Sequence, residues 1–299
     1  MKINYFLLFI LGFISNLALA QTSVDSTSIL NLDKMAQINQ NDSYVTFPID
    51  IGNIEPLMFE ANVSPSFKIR ERKDSRLMAV LTGQIIIRMY NEPSYPIRTP
   101  SYIPQITFYF LTGNKRASKK LTLFGRLAHH SNGQDGNFYK ENGSINLTSG
   151  NFATNFIEIG YIKSSYSKHL SAFKFFKSSV EIHPKSWMME EMQGIYSGLR
   201  WHNTFMAYKL PMSDNFNKSR KANFSLKAES TIMLDNINNL KTFDLNRLNA
   251  SLTFYYHPKF LEDIGLFVQL YHGMDYYNIY FNHHVDTIRF GLMTEILRF

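Results

Sequence analysis

The sequence predicts an all-β fold, an antiparallel transmembrane β-barrel, and three observations carry that expectation. Strand-like segments of alternating polarity succeed one another from residue 58 to the C-terminus. Most are about ten residues long, the length a tilted membrane strand needs. Tyr and Phe are abundant, at 17 and 25 residues, and could supply interfacial aromatic girdles. The chain ends in Ile296-Leu-Arg-Phe299, a terminal strand and Phe of the kind that directs outer-membrane barrel assembly. A mean hydropathy of −0.20 argues against a helical membrane protein. It leaves a barrel open, because inward polar residues dilute the outward apolar ones. A soluble β-sandwich is the alternative, disfavoured by the number of strands and the terminal Phe.

The elements follow in order. Lys2, the apolar run Tyr5–Ile14 and Ala18-Leu-Ala20 read as a secretory signal peptide over 1–20. Residues 21–50 are polar and form an N-terminal arm, extended or plugging a lumen. Residues 51–299 form the barrel. Its eleven recognisable segments are Met58–Arg70, Leu77–Tyr90, Ile103–Leu111, Leu121–His130, Ala153–Ser164, Ala172–His183, Gly194–Leu210, Ala222–Leu234, Asn246–His257, Gly265–His272 and Thr287–Phe299. The gaps Asn132–Phe152 and Asp235–Leu245 read as surface loops.

Composition narrows the function. The absence of Cys excludes thiol chemistry and a disulfide framework. The formal charge of +7, one less without Lys2, suits a surface near anionic lipid and equally plain solubility. There is no clustered basic stripe of the kind nucleic-acid binding needs. His283-His284 reads as rim decoration, since adjacent strand residues point to opposite faces.

The chemistry concentrates in Leu121-Thr-Leu-Phe-Gly-Arg-Leu-Ala-His-His-Ser-Asn-Gly133. On a strand, Leu121, Leu123, Gly125, Leu127, His129 and Ser131 share one face. On the next strand Ala153, Asn155, Ile157, Ile159 and Tyr161 share a face. The charged Arg126 and Glu158 belong inside a barrel, so His129, Ser131 and Asn155 point to lipid while His130 points inward. A Ser hydroxyl becomes a nucleophile when an adjacent imidazole takes its proton. A third group must orient that imidazole, and a neutral Asn suits a site beside lipid, where an unpaired carboxylate is costly. The three residue types make a Ser–His–Asn hydrolase.

His129-His-Ser-Asn-Gly133, with Asn155 on the following strand, resembles the signature of the outer-membrane phospholipase A family. Ser94-Tyr-Pro-Ile-Arg-Thr-Pro-Ser-Tyr-Ile-Pro104, Val180-Glu-Ile-His-Pro184 and the closing segments around Gln269–Gly273 and Thr287–Leu292 are similar to further family stretches. The likeness covers most of residues 90–299. It implies a twelve-stranded barrel, with the unrecognised strand expected near Tyr276–His284. It implies a calcium-dependent lipase that cleaves acyl esters of phospholipids and some lysophospholipids and acts as a homodimer in the bacterial outer membrane. By the same likeness His129 is the base, Ser131 the nucleophile and Asn155 the orienting residue. Ca2+ would be held by oxygen ligands: Ser94 across the dimer interface, the main-chain carbonyl of Gln134, and a third residue in the following loop. The interval from Ser131 to Asn155 is about twice the family's usual loop, so Asp135, Asn151 and Thr154 are all candidates for that third ligand. Two rivals remain: a non-enzymatic barrel, such as a narrow porin or structural protein, and a barrel esterase or lipid A deacylase.

Overall fold

The computed structural model describes residues 31–299 except 73–74, 115–118, 168, 211–221, 262 and 295–299. The signal peptide at 1–20, residues 21–30 of the arm and the Ile296–Phe299 motif lie outside the described residues.

Alternation builds the wall. Strands β1 (Tyr44–Thr46), β2 (Leu57–Val63), β3 (Ser66–Ile69), β4 (Leu77–Tyr90), β5 (Ser101–Leu111), β6 (Lys120–Ser131), β7 (Ala153–Ser167), β8 (Ala172–Ile182), β9 (Leu199–Lys209), β10 (Phe224–Met233), β11 (Leu248–Tyr256), β12 (Ile264–Met274) and β13 (His284–Thr294) form one sheet. Every pairing is antiparallel, and β1 joins β13 to β2 while β2 also joins β4, which closes the sheet. β2 and β3 meet β4 in one register, Val63 opposite Ile85 and Ser66 opposite Thr82. Pro65 lacks an N–H for the ladder, but its carbonyl accepts from Gly83 N at 3.0 Å. The two therefore act as one interrupted strand, and the described residues form a closed twelve-stranded barrel. Closure pairs the backbone groups that lipid could not satisfy.

Along β4, Leu77, Leu81 and Ile85 are exposed on the outer wall, while Met78, Val80, Thr82, Gln84, Ile86, Arg88 and Tyr90 are buried inside. The same two-residue period runs through β6, where Thr122, Phe124, Ala128 and His130 are buried and Leu123 and Leu127 are exposed. Arg126 and Glu158 meet inside at 2.8 Å, and Lys177 and Ser179 also face Glu158. Among the described residues no helix is long and apolar enough to cross a membrane.

The lumen is filled at both ends. At the end opposite the β6–β7 loop sits helix α1 (Leu32–Ile38), capped by Asn31, whose Oδ1 accepts from Lys34 N at 3.0 Å. Seven residues are too few for a self-sufficient helix, and packing holds it. Leu32, Met35, Ala36 and Ile38 bury against Met78, Val80, Tyr109, Phe124 and Phe175. Asn39 donates to Tyr109 and accepts from Arg126 through its carbonyl. At the loop end, Phe138, Phe152, Tyr196, Tyr277, Tyr280 and Phe281 form a second apolar cluster. Between the clusters lies a cavity of about 390 Å3 lined by both charged and apolar side chains, among them Arg200, Glu229, Phe267 and Met293.

Two expectations need correction. The strand expected near Tyr276–His284 is absent, and only His284 joins a strand, as the first residue of β13: Asn278 has φ 23°, and Asn278–Tyr280 make a single 3-10 turn. The Asn278 side chain donates to Thr99 O and Ser101 Oγ, which pins that turn over the barrel mouth. The twelfth strand is β1, inside the polar segment 21–50, so the barrel begins before residue 51. β1 has three residues and few ladder bonds, and side chains reinforce the seam. Buried Glu60 on β2 meets Arg88 at 2.7 Å and Arg289 at 3.2 Å, and accepts from Tyr44 and Tyr276. Arg88 also clasps Asp275 in the last loop with two bonds of 2.7 and 2.8 Å.

Candidate active site

The β6–β7 register sets His129 opposite Asn155. Both lie on the outer face, and His129 Nδ1 is 2.8 Å from Asn155 Oδ1. The amide orientation follows from its other contact, since Asn155 Nδ2 donates to Trp187 O at 3.4 Å. The amide oxygen therefore faces the ring and can only accept, so a neutral His129 carries its proton on Nδ1. Nε2 is left with a lone pair. Ser131, half-buried, follows two residues along the same face, with Cα partners Ala153 and Tyr102. Around His129 and Asn155 the outer wall forms a shallow groove lined by Leu81, Ile106, Leu127 and Trp187.

His130 turns the other way. It is buried, its Nε2 is 3.1 Å from Ser101 Oγ, and its ring meets Phe152 edge-on at 4.8 Å. Ser101 Oγ also accepts from Asn278 Nδ2 at 2.9 Å, so it links that imidazole to the turn at Asn278. That imidazole is engaged in the lumen wall and faces away from the Ser131 side.

The loop after Ser131 is a folded unit. Asn132 is fully buried and ties the loop's two ends: Nδ2 donates to Gly150 O at 2.8 Å, while Oδ1 accepts from Gln134 N at 3.2 Å and Phe152 N at 3.0 Å. Sequence reasoning gave Asn132 no role, because Gly150 and Phe152, the partners through which it closes the loop, are 18 and 20 residues away. Gly133 takes φ +64°, and a Cβ there would press on the Tyr102 ring at 3.2 Å. Glycine thus opens the backbone beside Ser131. Gly136 and Asn151 are joined by a 2.9 Å backbone bond, which brings the loop's start and end together. Phe138 then buries against Phe281, folding the loop onto the barrel mouth.

The expected metal ligands divide. Gln134, Asp135 and Asn151 stand at the base of this loop, next to Ser131, with Asp135 exposed. Their main-chain carbonyl, carboxylate and amide oxygens are the hard donors that calcium takes. Ser94 lies on a separate loop between β4 and β5, exposed, at φ 71°. Thr154 does not fit: it is buried in the lumen wall, its Oγ1 2.9 Å from His183 Nδ1. Alternation sends it to the face opposite Asn155.

No sequence-family profile and no curated protein matches the chain. Solved structures do. The outer membrane phospholipase A of Escherichia coli aligns with a TM-score of 0.53 at 15% identity, covering 85% of this chain and 90% of that one. A Salmonella typhi outer membrane phospholipase, solved as a dimer with bound calcium, aligns with a TM-score of 0.58 at 14% identity, covering 91% and 99%. The fold of this chain is the outer membrane phospholipase A barrel.

Proposed function

We propose that the protein is a calcium-dependent phospholipase A of the bacterial outer membrane, hydrolysing acyl esters of phospholipids and lysophospholipids. The observation that carries this reading is the 2.8 Å His129–Asn155 pair on an apolar outer wall, in phase with Ser131. His129 Nε2 takes the Ser131 proton as Oγ attacks the ester carbonyl carbon. Asn155 holds the Nδ1–H and so fixes the tautomer and ring orientation. His129 then gives the proton to the departing alcohol. A water activated by the same imidazole releases the fatty acid from Ser131. When bound, calcium supplies Lewis-acid polarisation of the ester carbonyl. Gln134, Asp135 and Asn151 would hold it, with Ser94 offered across a homodimer interface.

The outward direction of the site accounts for the substrate. An acyl chain can lie in the groove beside Leu127 and Trp187 while its ester reaches His129, which admits phospholipid laterally from the membrane. The filled lumen disfavours the porin reading. The Salmonella neighbour, a calcium-bound dimer, supports both the metal and the dimer.

Purified protein in detergent micelles is expected to hydrolyse phospholipid with calcium, to lose that activity with a chelator, and to recover it when calcium is restored. Activity indifferent to chelation would overturn the calcium dependence. Asn155→Ala is expected to lower kcat about tenfold, the worth of one neutral hydrogen bond of about 1.4 kcal/mol. An unchanged kcat in a steady-state assay would remove Asn155 from the site.

A further inference from the structure

Among the described residues, His272, His284 and Asp286 bring three metal-ligating atoms within 4.8 Å of one another. His284 and Asp286 alternate on β13 and so share its outer face. His272 comes from β12, where the register sets it opposite Asp286. Its Nδ1 lies 2.6 Å from Asp286 Oδ1, and its ring meets the His284 ring edge-on at 4.6 Å. The adjacency of His283 and His284 in sequence plays no part in this convergence.

The place is built. On the outer face of β12 the apolar row Ile264, Leu266, Val268 and Leu270 gives way to His272, two residues before the strand ends. His129 occupies the equivalent point on β6, six strands away round the wall. The β13 end is held on both sides, by β12 and by the segment at Ile51, which bridges to Ile288. Gly52, at φ +90°, lets that segment close on Asp286, since a Cβ there would fall 1.8 Å from the Asp286 carbonyl oxygen. The side chains of His272 and Asp286 are 44% and 75% exposed at the rim, where the wall gives way to the loops.

The donor set selects the ion. Two imidazoles and one carboxylate suit a borderline divalent cation, above all Zn2+, whereas calcium prefers oxygen ligands throughout. Three protein ligands leave a fourth position open. We propose that His272, His284 and Asp286 form a Zn2+-class site at the loop-end rim of the outer wall, separate from the Ser131 region and independent of the hydrolase reading.

The test is calorimetric titration of Zn2+ into full-length, metal-stripped protein in detergent, with Co2+ absorption as a second readout. One saturable site per chain is expected, with calcium unable to compete at hundredfold excess. His284→Gln and Asp286→Asn should each weaken Zn2+ at least tenfold, and His283→Gln should leave it unchanged. Heat-modifiable gel migration checks that each variant remains a barrel. Absence of saturable binding to the unaltered protein would overturn the proposal. So would equal affinity in all variants.

Discussion

Ser131→Ala is expected to abolish phospholipid hydrolysis, with a loss on the order of 10^4-fold or more, because the acyl-enzyme route vanishes with its nucleophile. The polar side chain next to it on β6 points the other way. His130, the nearest other imidazole in sequence, is bound to Ser101 inside the lumen. Ser101 is itself buried on that inner side. The variant should fold normally, since the partly exposed Ser131 side chain removes only one oxygen from the wall. Fatty-acid release from micellar phospholipid measures the effect, and full turnover by the variant would refute the assignment of Ser131. His129→Ala should fall almost as far. Equal activity of that variant would point to chemistry elsewhere on the barrel.

The second large effect concerns stability. Glu60→Ala is expected to destabilise the barrel by about 3–5 kcal/mol, the usual penalty for stripping one member from a buried ionic cluster. Arg88 and Arg289 would both lose a carboxylate partner, and the Tyr44 and Tyr276 hydroxyls would lose an acceptor. Arg88 would keep Asp275, so Arg289 is the more exposed to loss. The cluster lies where β1 offers only three register pairs to β13 and two to β2. Backbone bonding there cannot compensate. Urea unfolding followed by tryptophan fluorescence, with gel mobility of the unheated protein, measures the shift. An unchanged midpoint would show that the seam holds without its ions.

The long strands were legible because alternation survives wherever one face of a closed sheet is apolar and outward and the other lines the lumen. Leu123, Leu127 and Ile159 outside, against Arg126 and Glu158 inside, carry that pattern plainly. The same parity placed His129, Asn155 and Ser131 on one face, and separated His130 from them. β1 was not legible, since three residues beside a polar stretch make no period. Its strand character comes from Val45 lying between Ala61 and Leu292, two partners far away in sequence. Conversely, the aromatic run at 276–281 has strand-like composition. It folds as a turn because Asn278 finds acceptors at Thr99 and Ser101. Helix α1 escaped notice for a related reason: its apolar face is short, and the surface that stabilises it is assembled from six strands, β4 to β9. The tie made by Asn132 and the convergence of His272 with Asp286 likewise depend on register between strands, which composition cannot report.

The seam between β1 and β13 has a consequence for biogenesis. Thr46 pairs with Gly291, so the ring closes through contacts between opposite ends of the polypeptide. Pairings of such sequence separation are the slow ones in folding. α1 lies immediately before β1 and rests inside the wall that this last pairing completes. The helix therefore lies inside a complete ring whose opposite mouth is filled by the loop-end aromatics.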